Sequence, residues 1–187
     1  IRVKATFADW AAGSGWPLVA KWGTGTGGAS RSYYFWLNGT PAGAPTLYWV
    51  PSAGAATVDG RASWSSTGFA PGATGWVRAT LDVDNGAGGW TVNYYTSTDG
   101  IAWTLHSTGT AAGVTSIYDS AVPVEIGRAD NLYPSRDGVI HEVEIRNGIN
   151  GPIVGRWDGR VPHTRQRDKA GNIWTVNGTT NAWMVVE

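Results

Sequence analysis

The sequence predicts a single all-β domain over residues 1–187, folded as a two-sheet antiparallel β-sandwich, and three observations predict it. Helical periodicity is almost absent, whereas apolar and polar residues alternate with a period of two between clusters of Gly, Asn and Asp. Glycine is in excess, with 27 residues where average usage of about 7% predicts about 13, which marks many turns. Tryptophan is in excess too, 12 against 3 Phe, and a residue of that size marks either core or ligand platform. A chain of this length buries roughly 70% of its unfolded surface as one unit. Its core therefore needs no disulfide or metal, in keeping with the absence of cysteine.

The elements follow in order. Ile1, Val3, Ala5 and Phe7 alternate with Arg2, Lys4 and Thr6, giving a first strand with one face inward. A second runs from Trp16 to Trp22, with Pro17 near its start, where a missing amide donor is tolerated. Gly23 to Ser30 is a loop; it has no lysine and opens no helix, so its glycines make no phosphate cradle. Arg31 to Asn38 is a strand closed by Asn38-Gly39, and Thr46 to Val50 is a shorter one among Pro41, Pro45 and Pro51. The clearest alternation is Trp76 to Val83, where Val77, Ala79, Leu81 and Val83 face one way and Trp76, Arg78, Thr80 and Asp82 the other. The turn from Asp84 to Gly89 leads into Trp90 to Thr98, and Asp99-Gly100 leads into Trp103 to Thr108, so three strands form a meander. Later strands are Val122 to Gly127, Val139 to Arg146, Ile153 to Trp157 and Ile173 to Val176, with a last apolar run at Trp183 to Val186.

Charge and composition exclude several functions. Fourteen basic residues balance fourteen acidic ones without a Lys/Arg cluster, so neither nucleic acid nor an anionic membrane is an expected partner. Without cysteine there is no thiol redox chemistry and no thiolate zinc site. No apolar run approaches the roughly 20 residues of a membrane helix, so membrane insertion is not expected. The chain opens on Ile1 without a leader pattern and reads as a module of a longer chain.

The segments PLVAKWG, SYYFWLNG, WVRATLDVDNGAGGWTVNYYTSTDGIAWT and VIHEVEIRNGINGPIVGRWD together resemble the laminin-G-like, concanavalin A-like jelly-roll domains, most closely those in tail proteins of phages infecting actinobacteria. The resemblance covers nearly the whole chain. It implies a jelly roll of two antiparallel sheets, a place in the virion and attachment to host-surface glycans. Ser97 to Trp103 is also similar to the Asp-box hairpin of sialidases, one residue short, which implies a structural turn.

Alternation sorts the aromatic residues. With Val77, Leu81, Val92, Tyr94, Tyr33, Phe35 and Leu37 inward, Trp76, Tyr95, Tyr34 and Trp36 point outward, and Tyr48 joins them if Leu47 and Trp49 face the core. Arg78, Asn93, Asn38 and Glu125 lie among these positions. A sugar presents an apolar C–H face and a rim of hydroxyls, so a ring for stacking beside planar hydrogen-bonding groups is what a glycan site requires. The expected carbohydrate-binding residues are Tyr34, Trp36, Tyr48, Trp76, Arg78, Asn93 and Tyr95. The bland alternative is that these rings cover the sheets under loops or neighbouring domains.

Other chemistry has weaker support. Glu142 and Glu144 share a strand face at a spacing of roughly 5–7 Å, near what a retaining glycosidase needs. Related jelly-roll glucanases carry a third, intervening acid where this chain has Val143, so the two are expected to be solvated and paired with Arg146 or Arg128. His106, His141 and His163 are scattered and make no metal motif; His141 is expected on the apolar side with Val139 and Val143. Calcium is the one cofactor with candidate oxygens, from Asp82, Asp84 and Asn85 or from Asp130, Asn131 and Asp137, but turn chemistry explains Asp and Asn beside Gly, so no cofactor is expected. The sequons at Asn38 and Asn177 read as turns, and there is no Gly-x-Ser-x-Gly elbow. The expectation is a lectin-like module rather than an enzyme, with a host cell-surface glycan and other tail-protein domains as partners. A structural tail module is the alternative reading and a glycan-cleaving enzyme the third.

Overall fold

A computed structural model describes residues 1–11, 13, 15–24, 28–53, 59–63, 65–129, 138–160 and 165–175. Asp130, Asn131, Asp137, His163, Asn177 and the run Trp183 to Val186 lie outside the described residues, as do parts of the Gly23 to Ser30 loop. The described strands are β1 (Arg2–Phe7), β2 (Trp16–Trp22), β3 (Arg31–Gly39), β4 (Ala42–Trp49), β5 (Asp59–Ala62), β6 (Thr74–Asp82), β7 (Gly89–Ser97), β8 (Thr104–Ala112), β9 (Glu125–Ile126), β10 (Gly138–Arg146), β11 (Ile153–Asp158), β12 (Arg165–Arg167) and β13 (Ile173–Thr175). They form an antiparallel sandwich. One sheet has the order β11-β10-β1-β6-β7-β8 and the other β5-β4-β3-β2-β9, with β12 and β13 as a separate hairpin.

The core between the sheets is built from the inward half of each alternation. Val77, Val92, Tyr94, Phe35, Leu37, Leu47 and Trp49 are buried there, and Tyr33 and Leu81 pack at its margin, as the alternation predicts. Edge-to-face contacts organise its largest side chains: Phe7 meets Trp10 at 4.8 Å and Trp16 at 4.6 Å, and Trp49 meets Trp90 at 4.8 Å. Polar atoms buried with these rings find partners. Trp10 Nε1 donates to Ala73 O, and the Tyr94 hydroxyl accepts from Leu47 N at 2.8 Å across the sandwich.

Strand bounds differ from the predicted ones where main-chain pairing outweighs side-chain pattern. β4 starts at Ala42 rather than Thr46, because Pro45 lies where β5 has ended and its missing N–H breaks no ladder bond. β8 continues to Ala112 as an edge strand, whereas β9 keeps only two residues of the predicted Val122 to Gly127. β5 and β12 have no apolar alternation, so sequence reading missed both. The two meander turns form as predicted. Asn85 Oδ1 accepts from Ala87 N and Gly89 N, and Asp99 Oδ1 accepts from Ile101 N and Ala102 N. Those bonds, with the one from Ser97, hold the Asp99 carboxyl below the usual carboxylate range.

The β12–β13 hairpin covers the edge strand β11 with side chains instead of a ladder. Asp168 Oδ2 accepts from Arg156 N, Gln166 Oε1 from Asp158 N, and Asn172 Nδ2 donates to Val154 O. Burial raises the Asp168 pKa, but bonds from Asn172, Arg156 N and Trp174 outweigh it and bring it to about 2.

Two outcomes test this packing. Tyr94→Phe removes the cross-sheet acceptor and is expected to cost about 1 kcal/mol, read as a lower urea midpoint at unchanged m value. Asp168→Ala is expected to free the hairpin, read as faster proteolytic cleavage near residues 165–175 with the global melting temperature little changed. Because the folded-state pKa is depressed, the wild-type hairpin contact is present above pH 3.8 and is lost as pH falls through about 2.

Candidate functional site

The seven residues expected to make a sugar platform do point away from the core, but they divide between the outer faces of two different sheets. Tyr34, Trp36 and Tyr48 lie on β3 and β4; Trp76, Arg78, Asn93 and Tyr95 lie on β6 and β7. A single platform of all seven is therefore corrected to two separate clusters. Alternation assigns a side within a strand and carries no information on which sheet the strand joins.

On the five-stranded sheet the rings form a row across the strands. Register places Ala20 opposite Tyr34 and Tyr34 opposite Tyr48. Trp22 lies 5.9 Å from Tyr34, Tyr34 stacks on Trp36 at 5.1 Å and 22°, and Trp36 lies 5.9 Å from Tyr48. Arg31 sits over the Trp22 ring at 5.0 Å. Tyr34 is only 6% exposed, packed beside Ala20 and Ala129, while Trp22, Trp36 and Tyr48 are half-buried. Two glycines let the outer rings lie flat: a Cβ at Gly15 would overlap the Trp36 ring, and one at Gly60 would overlap Tyr48. Trp36 Nε1 is buried and has no hydrogen-bond partner among the described residues.

On the six-stranded sheet, Trp76 is 7% exposed and meets Trp103 edge-on at 6.3 Å. Arg78 Cζ lies 4.0 Å from the Tyr95 ring centre and 4.7 Å from that of Trp103, contacts that contribute roughly 0.5–1 kcal/mol each at exposed sites. Asn93 accepts from the Thr108 hydroxyl at 2.7 Å.

Sequence reading missed Trp22 and Trp103. Leu18 is an extra residue where the β2–β3 pairing slips between Pro17 and Val19, so counting by twos from the core residues Trp16 and Leu18 places Trp22 inward, whereas it lies on the outer face with Ala20. Trp103 stands just before β8, and only the hairpin closed by Asp99 and Gly100 brings it beside Trp76.

Glu142 and Glu144 share the outer face of β10 but are buried rather than solvated. Glu144, 1% exposed, accepts from Arg2 and Arg146 at 2.6 Å each, and Glu142 accepts from Arg156 at 2.8 Å. Arg146 is thus a partner as expected, whereas Arg128 pairs with Glu125 instead. Burial pushes the Glu144 pKa up, but the two arginines outweigh it and hold the carboxyl below its usual range.

His141 is a second correction. The β1–β10 pairing slips between Lys4 and Ala5, making His141 the extra residue of a bulge, and its Nε2 lies 2.8 Å from the Thr6 hydroxyl on the outer face rather than on the Val143 side. His106 Nε2 contacts Ser65 at 3.2 Å. The carboxylate and amide oxygens of Asp82, Asp84 and Asn85 accept backbone N–H bonds within their own turn. No cluster of metal-binding side chains occurs among the described residues. Among these residues, no helix is long and apolar enough to cross a membrane.

Comparison with known proteins returns no matching family model, no matching curated protein and no matching solved structure.

Removing the Glu144 charge tests the electrostatics of this face. Glu144→Gln leaves two partly buried arginines without their shared anion and is expected to cost about 2 kcal/mol in urea denaturation. The wild-type contribution is present in full above pH 4.5 and fades as pH falls through the lowered pKa, so the variant's acid limb is expected to be flatter.

Proposed function

We propose that this chain is a glycan-binding module that attaches a phage tail protein to its host's surface, working by stacking and hydrogen bonds without covalent chemistry. The observation that carries the binding is the set of half-buried rings Trp22, Trp36 and Tyr48 on one outer sheet face, linked through the nearly buried Tyr34, because neutral rings on such a face offer a stacking surface to the C–H faces of sugars. The indole N–H of Trp36 makes no hydrogen bond to any described residue, which leaves one donor on this face for a ligand oxygen. The virion setting and the bacterial host rest on the laminin-G-like resemblance of the four segments.

A specific observation favours a second reading, a structural tail module held against neighbouring domains. Ile117, Val154 and Ile173 are exposed around a cleft of about 450 Å³ between Tyr33, Val124 and Trp174, which offers apolar area to a protein partner. Glycan cleavage stands third. A general acid needs a raised pKa, and the arginines on Glu144 act in the opposite direction.

Titration of intrinsic tryptophan fluorescence with actinobacterial cell-wall polysaccharide and a panel of neutral oligosaccharides tests the reading. Wild type is expected to respond saturably, and Trp36→Ala to lose at least tenfold in affinity, about 1.4 kcal/mol, with its circular dichroism retained. Silence of the wild type across the panel, or wild-type affinity in the variant, would overturn it. A change of oligomeric state on Trp36→Ala, without any glycan response, favours the structural module.

A further inference from the structure

The outer face of the six-stranded sheet contains cations whose counter-charges are unevenly shared. Register sets Arg2 between Glu144 and Arg78, and Lys4 between Glu142 and Trp76. Every carboxylate of β10 and β11 is already taken: Glu144 by Arg2 and Arg146, Glu142 by Arg156, and Asp158 by Arg160. The side chains of Arg78 and Lys4 have no hydrogen bond or ion pair with any described residue. Among the described residues their charged groups lie instead over rings, Arg78 over Tyr95 and Trp103, and Lys4 over Trp76 at 5.9 Å.

This arrangement leaves Arg78 without a counter-ion among the described residues. The cross-strand neighbours of Arg78 are Tyr95 on one side and Arg2, whose charge is already paired with Glu144, on the other. Its Nε is buried without a partner among the described residues, and no described residue accepts a hydrogen bond from the rest of its guanidinium. The two rings meanwhile hold the guanidinium in place, so little rotamer freedom remains to be lost on binding. Lys4 is its diagonal neighbour across the β1–β6 ladder, close enough to share one ligand.

We propose that Arg78 is the recognition residue for an oxyanion, the carboxylate or sulfate of an acidic glycan, with Lys4 as the second cation. The planar guanidinium fork engages two oxygens of the anion, and the Trp76 and Trp103 rings border the sugar that carries it. That the oxyanion is carried on a glycan rests on the function proposed above; the oxyanion site itself lies on the other sheet from the Trp36 row and stands without it.

Fluorescence and calorimetric titrations with oligogalacturonate, dextran sulfate oligomers and cello-oligosaccharide separate the two ideas. Oligogalacturonate or dextran sulfate is expected to bind wild type and to weaken as NaCl is raised, and the tighter of the two identifies carboxylate or sulfate as the preferred anion. Arg78→Gln is expected to lose at least tenfold in affinity and Arg78→Lys to recover part of it, because a lysine keeps the charge but not the fork. Lys4→Met, a change that leaves the ring contacts of Arg78 intact, is expected to lose several-fold and provides the test should the Arg78 variants melt early. Trp36→Ala should leave acidic-ligand binding unchanged. Absence of binding to both acidic probes, or wild-type affinity in a folded Arg78→Gln protein, overturns the proposal. Binding of cello-oligosaccharide without the acidic probes sinks the oxyanion site and keeps the Trp36 row; the converse keeps Arg78 and sinks the row.

Discussion

The layer of rings and aliphatic side chains between the two sheets is what every other feature depends on. Phe7, Trp10 and Trp16 pack edge to face at one end of the core, and Trp49 meets Trp90 at another. Tyr94 adds a directional bond from one sheet to the backbone of the other. Such a layer sets the separation and alignment of the sheets, and with them the surfaces that face outward. A shift of one residue in any central strand would exchange its core side chains for outward ones, so the packing of this layer also specifies the register.

With the register specified, the outer faces acquire different chemistry. The five-stranded sheet presents neutral rings in a row, two of them lying over glycines that supply the necessary room. The six-stranded sheet presents a charged lattice. Arg2, Arg146 and Arg156 neutralise buried glutamates, while Arg78 is held by rings and not by carboxylates. Neither face is needed to close the core. The sugar-stacking and anion-binding proposals therefore concern different sides of the same sandwich.

Much of this was legible before any coordinates. Two-residue alternation assigns Val77, Val92, Tyr94, Phe35 and Leu37 to the core and Trp76, Arg78, Tyr34 and Trp36 to the opposite sides, and turn chemistry locates the hairpins at Asn85 and Asp99. The misses have physical causes. β5 and β12 are held by main-chain ladders that leave no apolar pattern, and His141 sits in a bulge that interrupts the count by twos. The glutamates of β10 were expected in solvent, because the arginine of Arg2 is 142 residues distant in sequence from Glu144.

By itself the sequence determined the all-β class, the inward and outward halves of most strands and the turns that join the meander, since each of these is set by neighbours a few residues apart. Only the tertiary structure decided which strands share a sheet, and so which outward rings meet. Pairing between strands distant in sequence places Tyr34, Trp36 and Tyr48 on one sheet and Trp76, Arg78 and Tyr95 on the other. The same pairing surrounds Arg78 with rings and another arginine, because cross-strand register is a relation between segments that no local pattern encodes.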